Sequence, residues 1–180
     1  LLLESVTSGM LAPASRIYEN RKVHVAQMLP IFAATYGEIS GQKEQCNIHY
    51  QSQLATDHLD NLMLRNSDKD RILARTTQGI HKDDLVFTMN GEPLRSFASQ
   101  GQLKSFVLAL KLTQYQLIQV NTGQQPILLL DDIFDKLDQH RVHQLLAMLI
   151  RNAYGQIFIT DTHRDRITNI LQEIDTDFLV

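Results

Sequence analysis

Three runs decide how this chain is read: Phe97-Ala98-Ser99-Gln100-Gly101-Gln102, Ile127-Leu128-Leu129-Leu130-Asp131-Asp132 and Asp135-Lys136-Leu137-Asp138. The first is a polar turn opening an amphipathic helix, expected from about Gln100 to Val120, with Phe106, Leu110, Tyr115, Leu117 and Ile118 on its apolar side. Ser99 followed three residues later by Gln102 is a capping box, worth about 1 kcal/mol to the helix. The same helix start presents unpaired N–H groups and a partial positive charge, which fits a phosphate. Gly101 costs up to about 1 kcal/mol against Ala in a first turn. Its presence favours a position where a ligand approaches the backbone. The second run is short and apolar, and reads as a buried central strand of a parallel sheet. Two acids at its carboxyl end stand where ligands bind in open α/β sheets. Asp131 is the candidate for Mg²⁺, because hard cations take oxygen ligands. In the third run, Asp138 is the expected N-cap of a helix over Gln139 to Arg151, with Val142, Leu145, Leu146, Leu149 and Ile150 inward.

Downstream, Gly155 breaks that helix and Gln156 to Thr160 reads as another buried strand. A helix over Arg166 to Glu173 and a final strand at Phe178-Leu179-Val180 follow. Strand–helix–strand–helix order implies a parallel α/β layer with right-handed crossovers. Upstream of the first run, Asn90-Gly91 between two apolar runs is a strong hairpin signal, because both turn positions need positive φ. It would join a strand over Leu85 to Met89 to one near Leu94 to Phe97. His81 with Asp83 and Asp84 is read as satisfying its own turn rather than as a catalytic cluster.

The first 78 residues read as a helical arm, with the rest, 79–180, as the α/β domain. Pro13 is expected to end a first helix and Pro30 to kink a second, since proline lacks an N–H and disfavours a helical residue before it. Ile17, Val25, Met28, Leu29 and Phe32 form a one-sided stripe, and Arg16, Glu19, Arg21 and Lys22 fill the other face, read as solvated, with a DNA-tracking basic face as the alternative. Glu38 to Lys43 reads as a loop. Alternation at Cys46, Ile48 and Tyr50 predicts a half-buried strand, and Asp57 to Arg75 a helix with Leu59, Leu62, Met63 and Leu73 inward. Cys46 and His49 have no second pair at zinc-site spacing.

Composition bounds the rest. The 180 residues are 43% apolar and 21% charged, ordinary for a globular protein. One cysteine excludes an internal disulfide and fits a reducing compartment. A net charge of −3 argues against a general nucleic-acid coat, so DNA contact would come from a local patch or from parts outside these residues. No apolar run approaches the roughly 18 residues of a membrane span. Leu1-Leu2-Leu3-Glu4 reads as a cut inside a longer protein rather than a signal peptide.

In combination the three runs resemble the signature motif, Walker B strand and D-loop of an ABC-type ATPase head. They are most similar to the RecF family of bacterial recombination mediators, in the form found in Bacteroidetes. That family reads Ser-Gln-Gly-Gln at the signature, as here at 99–102. Leu128 to Asp132 and Asp135 to Asp138 match its Walker B and D-loop. Gly79-Ile80-His81-Lys82-Asp83-Asp84-Leu85 resembles its Gly-Pro-His-Arg-Asp-Asp-Leu, departing at Ile80 and Lys82. The resemblance implies the C-terminal half of an ATPase head plus part of a second, mainly helical lobe that helps embrace DNA. It implies an ATP-dependent homodimer in which Ser99, Gln100, Gly101 and Gln102 contact ATP held by the other subunit. Asp131 would then serve Mg²⁺, Asp132 the attacking water and Asp138 the dimer contact. Thr160 or Asp161 would sense the terminal phosphate, with His163 a surface residue. It further implies a cytoplasmic protein at junctions of double- and single-stranded DNA, with RecO and RecR as partners in gap repair. Asp132 stands where most such heads carry Glu. Its carboxylate is withdrawn by roughly 1.5 Å, and ~1 Å of misplacement can cost about a hundredfold, so slow hydrolysis is expected. With no Gly-rich phosphate loop in these residues, the chain alone is expected neither to bind ATP tightly nor to hydrolyse it. Rival readings are another SMC-like head, or a non-catalytic interaction module whose motifs serve only as caps and turns.

Overall fold

The computed structural model describes residues 2–132, 134–152, 154–162 and 164–174, with side chains for all of these except 2–6 and 164–166. His163 and the expected strand at 178–180 lie outside the described residues. The elements in chain order are α1 (Leu2–Ser40), β1 (Cys46–Gln51), α2 (Leu59–Leu73), β2 (Asp84–Met89), β3 (Glu92–Pro93), α3 (Leu94–Phe97), α4 (Gln100–Thr122), β4 (Leu128–Asp131), α5 (Gln139–Arg151), β5 (Ile157–Thr160) and α6 (Arg164–Glu173). Strands β1, β2 and β3 form one sheet in that order, and β4 and β5 a second, parallel pair. The architecture is α/β, with a small parallel sheet and flanking helices.

Two compact units emerge. One comprises 1–27 and 48–87, the other 28–47 and 88–180. This division differs from the expected single boundary after residue 78. Residues 28–47 join the second unit because Phe32 and Tyr36 of α1 pack on Phe106 of α4, with ring centroids 4.9 and 6.2 Å away. In the first unit, Tyr18 stacks on Tyr50 at 6.0 Å and Leu59 is buried.

α1 runs as one helix through both Pro13 and Pro30, and on through Glu38 to Ser40, where a loop was expected. Each proline removes a hydrogen bond and costs about 3 kcal/mol in a helix interior. Burial of Ala14, Val25, Phe32, Tyr36 and Ile39 along the same helix offsets that cost. Ile17, assigned to the apolar stripe, is exposed, as is Leu73 at the end of α2.

The Asn90-Gly91 turn forms as expected, with φ of 51° and 87° and the register Met89↔Glu92. Leu94 to Phe97 is a turn of helix instead of a strand. Pro93 has no N–H for the ladder, so β3 stops after two residues.

β4 and β5 pair in register from Leu128↔Ile157 to Asp131↔Thr160. Neither is buried on both faces. Leu128 and Leu130 are buried, whereas Ile127, Leu129 and Phe158 are 59%, 71% and 51% exposed. Strand side chains alternate between faces, so one face of the pair is covered and the other is open. α5 buries Val142, Leu145, Leu146, Met148 and Leu149.

Candidate functional site

The parallel register brings the two strand ends together. The Thr160 hydroxyl donates to Asp131 Oδ1, and the Asp132 N–H donates to Thr160 Oγ1 at 3.1 Å and to the Thr160 carbonyl at 3.3 Å. Asp131 and Asp132 are both exposed. Asp132 has φ 45°, a left-handed conformation that Asp tolerates better than most residues. Its carbonyl accepts from Lys104 Nζ of α4 at 3.0 Å. Asp161 is half-buried and accepts from the Thr162 hydroxyl at 3.3 Å.

The turn at the start of α4 is a complete capping box. Ser99 Oγ accepts from the Gln102 N–H at 3.3 Å, and Gln102 Oε1 from the Ser99 N–H at 2.7 Å. The N–H groups of Gln100 and Gly101, at the first two helical positions, have no acceptor among the described residues. They are the available anion donors of this helix start. A side chain at Gly101 would meet the Lys136 carbonyl, since a Cβ there would stand 2.9 Å from it. The first turn of α4 therefore packs on the loop between Asp132 and Asp138, and glycine is what that approach requires.

Asp138 caps α5 as expected, accepting from the Arg141 N–H at 2.8 Å and from Arg141 Nε at 3.2 Å. Burial pushes its carboxyl up, but these contacts outweigh that and hold its pKa below the usual value.

Sequence reasoning missed the residues behind these motifs. Arg141 and Glu44 form a buried salt bridge, with side chains 11% and 9% exposed. Arg141 Nη1 also donates to Ser105 Oγ at 3.2 Å and to Glu44 Oε2 at 3.3 Å. Glu44 further accepts from Gln102 Nε2 at 2.9 Å and from the Tyr36 hydroxyl. Burial raises the Glu44 pKa, but the bonds from Arg141, Tyr36 and Gln102 bring it below the ordinary carboxylate value. Only Arg141, three residues past a capping Asp, carried any signal. Glu44 is non-local to every motif.

The first unit holds a second such cluster. Arg21 of α1 and the Tyr50 hydroxyl each reach Asp83 Oδ2 at 2.6 Å. Arg21 also donates to the Ile80 carbonyl at 2.7 Å, so it is not part of a merely solvated face. His81 Nε2 lies 3.1 Å from the Thr76 carbonyl, and Asp84 accepts from the Leu85 N–H at 2.8 Å. These contacts agree with a structural reading of the His81–Asp84 turn.

Asp131 and Thr160 supply hard oxygen donors of the kind Mg²⁺ takes alongside phosphate oxygens and water. Among the described residues, no group of three or more His, Cys, Asp or Glu is arranged to hold a metal by itself. No described helix is long and apolar enough to cross a membrane.

No protein-family model matches this chain. Curated relatives do. The DNA replication and repair protein RecF of Flavobacterium johnsoniae is 44% identical over 87% of this chain and 44% of its own length. That of Parabacteroides distasonis is 44% identical over 90% of the chain and 44% of its length. That of Cytophaga hutchinsonii is 38% identical over 99% and 47%. The chain is a homologue of the carboxy-terminal portion of RecF. It spans less than half the length of these RecF relatives. Two solved structures of the recombination mediator protein RecF in the RecFOR pathway, described as RecF-ATP and RecF-ATPrS, share its fold. They superpose with TM-scores of 0.73 and 0.72, at 27% identity, over 91% and 92% of this chain and 46% of each RecF chain.

Proposed function

We propose that this chain supplies one face of a composite ATP site in a RecF-like, ATP-dependent DNA clamp that acts in recombinational repair. The observation that carries the reading is contiguity. Thr160, Asp131 and Asp132 meet at two adjacent strand ends, Lys104 ties α4 to Asp132, and Gly101 abuts the Lys136 carbonyl. Three motifs distant in sequence thus form one polar surface. In this reading the N–H groups of Gln100 and Gly101, with Ser99, receive a nucleotide phosphate of the partner subunit. The Gln102 amide is engaged with Ser99 and Glu44, so it contributes by shaping the turn. Asp131, oriented by Thr160, offers its carboxylate to Mg²⁺, which when bound neutralises charge on the phosphates. Asp132 orients water, slowly for want of reach. Asp138 faces the partner subunit, and Thr160 or Asp161 senses the terminal phosphate. DNA at double–single-strand junctions, RecO and RecR are the proposed partners of the whole protein. ATP in a solved RecF structure and the relatives' naming as replication and repair proteins support this reading.

The complete cap geometry at Ser99 and Asp138 favours a second reading, in which the motifs serve structure alone within an interaction module. Light scattering on the full-length polypeptide, with and without Mg-ATP, separates the two. A nucleotide-dependent dimer abolished by Ser99→Arg, whose cation and bulk obstruct the helix start, is the expected outcome. No response to Mg-ATP in the unmutated protein would overturn the ATPase reading.

A further inference from the structure

The capping box needs only one end of the Gln102 amide. Oε1 serves the Ser99 N–H, and the other end, Nε2, donates to Glu44 at 2.9 Å. The cap of α5 needs only the Arg141 backbone N–H, yet the Arg141 guanidinium also reaches Asp138, Ser105 and Glu44. Local helix capping explains neither extension. Together they make a continuous path from the Ser99 backbone through Gln102, Glu44 and Arg141 to the Asp138 carboxylate.

We infer that Glu44 and Arg141 form a buried ionic clamp that sets the register between the Ser99–Gln102 turn and the Asp138 loop. The inference rests on the composite-site reading above and names residues that position its two partner-facing surfaces. Neither touches nucleotide, so both are positioning residues.

The geometry admits one arrangement. Arg141 spends Nε on Asp138, Nη1 on Ser105 and Glu44, and Nη2 on Glu44. A planar fork spans these acceptors, whereas a lysine ammonium presents its donors from one point. Both Glu44 oxygens are occupied, one by Gln102 and Arg141, the other by Tyr36 and Arg141. This fixes the identity of residue 102. Glutamate would complete the capping box equally well, but it would set a carboxylate against Glu44. Lying away from solvent, the pair is screened little by salt. A close approach reinforces it, since the Gly101 backbone leaves no room for a Cβ beside the Lys136 carbonyl.

The test uses the full-length protein with Arg141→Lys, which keeps the charge and loses the fork, and Glu44→Gln as a second variant should the first fail to fold. Two readouts are taken well below the melting transition. Amide hydrogen exchange without nucleotide is expected to accelerate at least tenfold at both 99–103 and 137–141, with α2 unchanged. The Mg-ATP concentration that half-drives dimerisation is expected to rise at least tenfold. Protection and dimerisation equal to the unmutated protein in both variants would overturn the clamp and leave the composite site standing. Faster exchange spread evenly over the molecule would also overturn it, since that reports lost stability rather than lost register. Local loosening at both segments, in a protein that never responds to Mg-ATP, would sink the composite-site reading and the clamp's positioning role with it.

Discussion

Each compact unit contains a buried carboxylate held by an arginine and a tyrosine hydroxyl. In the first, Asp83 is 4% exposed and held by Arg21 and Tyr50. In the second, Glu44 is 9% exposed and held by Arg141 and Tyr36. The chemistry is the same and the surroundings are not. Arg21 remains 46% exposed, and its cluster ties α1 and β1 to the turn at Ile80 and Asp83. Arg141 is 11% exposed, and its cluster joins the starts of two helices that flank the acids at the β4 end. A buried ion pair by itself therefore says little about function. What it connects decides.

The comparison predicts unequal costs. Glu44→Ala strands a buried guanidinium and is expected to destabilise the protein by about 3–5 kcal/mol. Asp83→Ala leaves an arginine that can turn to water, and about 1–3 kcal/mol is expected. Urea midpoints of the two variants measure the difference, and equal losses would break the contrast. Gly101→Ala sharpens it on the steric side. The added methyl must displace the Lys136 backbone, an overpacking cost of about 1–3 kcal/mol, with loss of nucleotide-driven dimerisation beyond what that destabilisation explains.

The smallest effect is expected on acidification. Glu44 and Asp83 both titrate below their ordinary values in the folded protein: burial pushes each up, and arginine and hydroxyl bonds more than reverse it. A depressed folded pKa means stability that is present above the unfolded value, near 4.3 for Glu and 3.9 for Asp. That stability is lost as pH falls through the folded value. Melting temperature should thus fall below about pH 4. Glu44→Gln should flatten this acid limb while leaving the Asp83 contribution intact. An unchanged limb in Glu44→Gln would show that Glu44 is not the titrating group.

Much of the candidate site was legible because its signals are local. Ser99 and Gln102 lie three residues apart, Asp138 directly precedes its helix, and Asn90-Gly91 and Gly123 take the positive φ their turns require. The parallel strand–helix–strand order was legible too, whereas the adjacency of Asp131 to Thr160 came only with the observed register. Where tertiary packing overrode a local rule, the reading failed. Pro13 and Pro30 sit inside one helix, Leu94–Phe97 is helical after a proline that cannot extend the ladder, and β4 has one exposed face.

The sequence by itself determined the order of strands and helices, the helix caps and the placing of two acids at a strand end, because each is carried by a pattern spanning a few residues. Only the tertiary structure decided that Glu44 faces Arg141, 97 residues away, that Arg21 serves Asp83, and that Gly101 lies against the loop before Asp138. Those contacts depend on which surfaces meet once the apolar faces are buried, and no short-range spacing encodes that.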